Sequence, residues 1–150
     1  MVAATELPSL VGTELGVSVW LLIEQDRVSA FADATLDHQF IHIDPEKAAM
    51  TPFGGTIAHG FLTLSLLPHF LEAASVPVEG TLMAVNYGTD KVRFVQPVKV
   101  GQRIRARSVL ASAVERRPGQ WLLKQDVTVE IEGEEKPAMV TEFLMMFFVA

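Results

Sequence analysis

The sequence predicts an α+β fold: one antiparallel sheet curled around a single long, buried helix. Three observations lead there. Residues 57–74 carry Ile57, Ala58, Phe61, Leu62, Leu64, Leu66, Leu67, Phe70 and Leu71 on nearly every helical face, and a helix apolar all round belongs inside a protein. Residues 103–113 and 121–131 alternate charged and apolar side chains, the period of strands with one wet face. Residues 138–149 are apolar on both faces, as in a strand that is central or at an interface. Wrapping such strands around such a helix gives both a place to bury their faces.

The elements follow in order. Residues 17–23 (VSVWLLI) are rich in β-branched and aromatic side chains and read as a short strand. Residues 24–34 show helical spacing, with Val28, Phe31 and Ala32 on one face. Residues 35–44 are less regular. Asp44 and Pro45 have the chemistry of an N-cap and a first helical residue, so residues 45–49 form one or two turns. Pro52-Phe53-Gly54-Gly55 is a loop, and Thr56 is placed to cap the long helix, whose last turns Pro68 should kink. Residues 80–87 and 91–94 read as two strands; Pro118-Gly119 and residues 132–135 turn the chain.

With 150 residues, no linker and no internal repeat, the chain reads as one domain spanning 1–150. The net charge of -6 argues against a nucleic-acid binder, which needs clustered Lys and Arg. The absence of cysteine removes disulfides, thiolate nucleophiles and Cys-based zinc sites. No cation precedes Arg27, and the longest apolar run, residues 143–150, is far shorter than the ~20 residues a membrane helix needs. These features lead us to expect a cytoplasmic protein without a membrane partner. The 49% apolar content exceeds what a lone domain requires and suggests a subunit interface or an acyl cavity.

Asp37 and His42, five residues apart, are the candidate chemical pair. An imidazole can act as a base near neutral pH, and a carboxylate can share its water. Spacing alone leaves a second reading open: Asp37 as a cap and His42 as a hydrogen-bonded core residue. His38 and His42 have the spacing of a helical metal pair, but Asp44-Pro45 shortens any helix and no third ligand follows, so no metal is expected. His38 reads as an exposed polar residue, His69 as structural or interfacial, and His59 as bonding backbone near the helix cap. Gly60, at the start of the long helix, lets an oxygen approach its N–H closely and is the candidate oxyanion donor. Alternatively, Gly60 only lets a strand pass near the helix.

The stretch Phe31-Ala32 … Asp37-x-Gln39-x-Ile41-His42-x-Asp44-Pro45 … Phe53-Gly54-Gly55-Thr56-Ile57-Ala58-His59-Gly60-Phe61 resembles the MaoC-like, (R)-specific enoyl-CoA hydratases. It is most similar to their NodN-like branch, the 3-hydroxyacyl-thioester dehydratases. Asn86-Tyr87-Gly88-x-x-Lys91-Val92-Arg93-Phe94 also resembles the strand that follows the helix in that family. The resemblance implies a hot dog fold and a homodimer. It also implies reversible hydration of trans-2-enoyl thioesters to (R)-3-hydroxyacyl thioesters, with Asp37 and His42 catalytic and Gly60 holding the thioester oxygen. The substrate would be an acyl-CoA or acyl-carrier-protein thioester, with no cofactor beyond that carrier. Gln39 and Phe40 stand where the hydratase motif has Asn-Pro, and Pro68 stands where some relatives have Ser; these departures bear on substrate positioning. Phe53, Ile57, Phe61 and Leu62 would lie beside the acyl chain, plain core packing being the other role open to each. Lys91 and Arg93, with Arg103 and Arg105, are the candidate contacts to CoA phosphates, the alternative being a solvated strand face. Two other functions are compatible with such a chain: a hot dog acyl-CoA thioesterase and a non-catalytic acyl-thioester-binding protein.

Overall fold

The computed structural model describes residues 1–150. The elements are a 3-10 helix (Ala4–Leu10), β1 (Glu14–Val17), β2 (Leu21–Leu22), α1 (Gln25–Thr35), α2 (Phe40–Ile43), α3 (Pro45–Ala49), α4 (Gly60–Ser65), α5 (Leu67–Leu71), β3 (Thr81–Phe94), β4 (Arg103–Arg117), β5 (Gln120–Ile131) and β6 (Met139–Val149). The strands form one antiparallel sheet in the order β1-β4-β5-β6-β3, with β2 also paired to β4. This is the hot dog arrangement. β6 is central, as its two apolar faces require.

Paired positions across the sheet sort the side chains into two faces. Ile104, Ala106, Val127, Val129, Met139 and Phe143 point inward and pack with Leu62, Leu67, Phe70, Leu71 and Ala74 of the helical segment into one buried cluster. Arg105, Arg107 and Glu130 point outward and pair with one another. A second cluster of Leu7, Val78, Leu110, Trp121 and Leu123 closes the far end beneath the N-terminal 3-10 helix, an element the sequence pattern did not announce.

The structure differs from the sequence expectations in five ways. The strand over 17–23 breaks in two at Ser18: its N–H still donates to the Ala106 carbonyl, but the Ala106 N–H goes to the Ser18 hydroxyl and not to its carbonyl. The strands over 80–87 and 91–94 are one, with bulges around Asn86/Gly88 and Thr89/Lys91 absorbing the apparent punctuation. The long helix starts at Gly60 rather than Ile57, because Ile57 bridges Lys99 and the Ala58 N–H is taken by the Val98 carbonyl. It divides at Leu66, since Pro68 has no N–H to offer the Leu64 carbonyl. Nor is it buried all round: Leu62, Leu67 and Phe70 are, but Phe61 is 66% exposed and the flank it shares with Leu64, Ser65 and Pro68 opens toward β3.

Candidate active site

The irregular stretch between α1 and α4 builds the site. α1 ends on Leu36 in the left-handed conformation (φ 63°), which turns the chain sharply into Asp37. Gln39 then precedes α2, a single turn that carries His42 inward. Asp44 stops that turn and starts the next, its carboxylate accepting the Lys47 N–H at 3.1 Å over a helix that begins with Pro45. That capping is as the sequence chemistry predicts.

His42 is 7% exposed. Its Nδ1 lies 2.7 Å from the Ile57 carbonyl oxygen, an acceptor, so Nδ1 carries the proton and Nε2 is left as a lone pair. Burial is the largest influence on the imidazole and draws its pKa below the ordinary 6.5. The bond to the Ile57 carbonyl and the charge of Asp37 oppose this shift, while His59 adds to it. His42 is therefore a neutral imidazole at pH 7, with one defined basic nitrogen. One oxygen or nitrogen each from Asp37, His42 and His59 lies within 4.8 Å of the others. Two hydrogen bonds from one water span about 4.5 Å, which is comparable with this upper limit on the separation of Asp37 and His42. The two imidazoles are stacked 3.7 Å apart and nearly parallel. His59 is thus a third donor beside Asp37 and His42, one that spacing in the sequence did not reveal.

A cavity of about 260 Å³ adjoins His42, lined by Phe53, Ile57, Ala58, Gly60, Thr63, Phe94 and Val98 among others. Gly60 is the first residue of α4, where helical geometry leaves the N–H without an internal partner, and no other backbone carbonyl accepts it. A β-carbon on Gly60 would meet ring atoms of Phe94 at 2.8–2.9 Å. Glycine is thus required for the close approach of a β3 side chain, and the same lack of bulk keeps the N–H accessible from the cavity.

The other predicted residues divide. Phe53 and Ile57 line the cavity, whereas Leu62 is core. Phe61 is exposed and edge-on to Phe94, centroids 5.6 Å apart. Gln39 and Phe40 are exposed and do not line the cavity; the Gln39 N–H makes a long 3.4 Å bond to the Asp37 carboxylate. The candidate phosphate contacts lie away from this cavity within the protomer. Strand alternation turns Val92 and Phe94 toward the helix and leaves Lys91 and Arg93 on the outer face with Asp126, Thr128 and Glu142, across the sheet from His42. Arg103 is paired to Glu132, and Arg105 to Glu130 while lying over the Trp20 ring. Burial raises the Glu130 carboxyl, but bonds from Arg105 and Arg107 outweigh it and hold the group below its usual range. His38 is exposed and bonded to Asp33. No helix is long and apolar enough to cross a membrane.

Two residues emerge that spacing undervalued. Gln25 donates from Nε2 to the His42 carbonyl at 2.7 Å and accepts the Thr56 hydroxyl at 2.6 Å. It thereby joins the turn carrying His42 to the strand-like segment that receives the His42 Nδ1–H. His59 does bond backbone, but the carbonyl is that of Asp37, 22 residues away, and not one near its own helix cap. Neither partner lies within a local window, so no periodicity could reveal it.

Comparison with known proteins agrees with this architecture. A nodulation protein N from Rhizobium leguminosarum bv. viciae is 48% identical over 140 residues, 93% of this chain and 87% of the relative. The 3-hydroxyacyl-thioester dehydratase Z of Mycobacterium tuberculosis (strain ATCC 25618 / H37Rv) is 47% identical over 145 residues, 97% of this chain and 95% of the relative. The solved (R)-hydratase of A. caviae involved in PHA biosynthesis superposes with a TM-score of 0.73 at 26% identity, covering 90% of this chain and 94% of that one. The family profile described as MaoC like domain matches residues 6–133, and the chain belongs to that family.

Proposed function

We propose that the protein adds water reversibly to trans-2-enoyl thioesters, forming (R)-3-hydroxyacyl thioesters. The observation that carries the proposal is the fixed tautomer of His42: Nδ1–H is committed to the Ile57 carbonyl, which leaves Nε2 as the base of a side chain that lies close to Asp37 and lines the cavity. The relatives named as a dehydratase and an (R)-hydratase support it, and hydratase/dehydratase chemistry is the class those names share.

In the hydration direction, one water is held between Asp37 and His42. Nε2 of His42 takes a proton as the water oxygen bonds to C3. The electron pair of the double bond moves toward the carbonyl, and the Gly60 N–H donates to the thioester oxygen as enolate charge develops. The imidazolium, beside the Asp37 carboxylate, returns the proton to C2 on the same face. Dehydration runs through the same transition state in reverse. No electrons enter or leave, so the reaction calls for no redox cofactor. The thioester carrier is CoA or an acyl carrier protein. The assembly we propose is a homodimer, because the edge strand β3 leaves Leu82, Met83, Val85 and Tyr87 about half exposed or more.

The experiment follows the ultraviolet absorbance of the enoyl thioester and, in parallel, free thiol. Loss of the enoyl band from a crotonyl or longer trans-2-enoyl thioester without thiol release is the expected result. Thiol release at the same rate would mean a thioesterase, and tight binding with neither change would mean an acyl-thioester carrier.

A further inference from the structure

We infer that His59 is a positioning residue for the hydration reaction, the single side chain that holds Asp37, His42 and Gly60 in register. The inference rests on the proposed roles of those three groups, to which His59 is tied in three different ways. Its Nε2 lies 3.0 Å from the Asp37 carbonyl oxygen, so Nε2–H donates and anchors the main chain that presents the carboxylate. Its ring lies on the face of His42, centroids 3.7 Å apart at 22°. Through the peptide bond it fixes the Gly60 N–H at the start of α4.

The stacking supplies a constraint that the hydrogen bond to Ile57 cannot. One bond from Nδ1 fixes a point on the His42 ring and leaves the ring free to swing about the Nδ1···O line. A flat neighbour on one face removes that swing and sets the plane in which Nε2 points. Phe31 of α1 also packs on the His59 ring, centroids 4.9 Å apart and tilted by 58°, which further limits the motion of that ring.

Two further observations separate this from ordinary core packing. His59 occupies the N-cap of α4 yet makes no side-chain cap bond, so the residue is not there for the helix. Its Nδ1 is buried with no partner. A buried unpaired acceptor is a cost that an apolar ring would avoid. An imidazole is retained where a flat ring and a donor on one edge are needed together.

The test compares His59→Leu, His59→Phe and His59→Gln, with Asp37→Asn as the control for the proposed chemistry. Phe keeps the flat face, Gln keeps a donor near the position of Nε2, and Leu keeps neither. The leucine variant should lose roughly 100-fold in kcat, the scale of a misplacement near 1 Å, with KM within about twofold. Phe and Gln should each recover part of the loss, whatever their melting temperatures. Histidine-labelled NMR supplies a readout that does not depend on turnover: His42 should keep the Nδ1–H tautomer in both proteins, while its ring resonances, sharp in the wild type, should broaden in His59→Leu as the ring gains its swing. A leucine variant that keeps both full kcat and sharp His42 ring resonances would overturn the inference. So would a loss confined to KM, or one that tracks melting temperature alone across the three variants. If the wild type and Asp37→Asn were equally inactive, the proposed reaction would fall, and the NMR result would still decide what His59 holds in place.

Discussion

His42 is the centre of the proposed chemistry because its two nitrogens are distinguished by their surroundings. One nitrogen faces a backbone carbonyl and the other makes no hydrogen bond within the protein, on a ring close to the Asp37 carboxylate. Burial lowers its pKa from 6.5, so the base stays unprotonated into mildly acidic solution. The acid limb of kcat/KM for the free enzyme should therefore fall below pH 6.5, as a pH–rate profile will measure. The sign for stability is fixed by the same shift. The unfolded chain takes up a proton at His42 near pH 6.5 and the folded one only at lower pH. This contribution to stability is complete above pH 6.5 and is lost as pH falls from there toward the lowered folded value. Leu36 is the other residue with a local consequence. A left-handed leucine costs about 1–2 kcal/mol, and glycine removes that cost while adding unfolded-state entropy. Leu36→Gly should raise stability by roughly 0.5 kcal/mol in urea unfolding. It should also leave the loop that presents Asp37 intact.

Elements were legible in the sequence where local chemistry decided them. Asp44-Pro45 gave the start of α3 because cap and first residue act within three positions. The alternation of β4 and β5 gave their inner and outer faces directly. The long helix was misjudged at its beginning, since Ile57 and Ala58 continue its apolar pattern while their backbones are claimed by Lys99 and Val98, about forty residues on. Asp37, His42 and Gly60 could be named from the motif, but the bonds of Gln25 and His59 that join them could not. Those contacts span 17, 31 and 22 residues, and no short-range pattern encodes them. Phe70, 1% exposed in α5, is the anchor that presses this helical segment on the sheet. Phe70→Ala should cost ~3–5 kcal/mol in chemical unfolding. Gly60→Ala should fold, because the clash is with a movable Phe94 ring. It should lose activity nonetheless, because the displaced ring and the added methyl crowd the cavity beside the Gly60 N–H.

At the scale of the molecule, the sheet has a covered side and an open edge. Its inner face is filled by the helical segment and its outer face carries paired charges such as Arg105 and Arg107 with Glu130. β3, in contrast, runs 14 residues along the edge with apolar side chains exposed on both faces. An unpaired apolar edge is an association site, and the open flank of α4 with Phe61 adjoins it. A second copy pairing there would account for both. Sedimentation at micromolar concentration should show a dimer, shifted toward monomer by Val85→Asp. A stable wild-type monomer would contradict the dimer. The outward direction of Lys91 and Arg93 follows from the same sheet geometry and removes them from the cavity of their own protomer. The most direct measurement of the central claim is the steady-state hydration rate of a trans-2-enoyl thioester by the wild type, Asp37→Asn and His42→Ala. Loss of about 10²–10⁴-fold in kcat for each variant, the usual worth of acid–base catalysis, is the predicted result; full activity in either folded variant would contradict it.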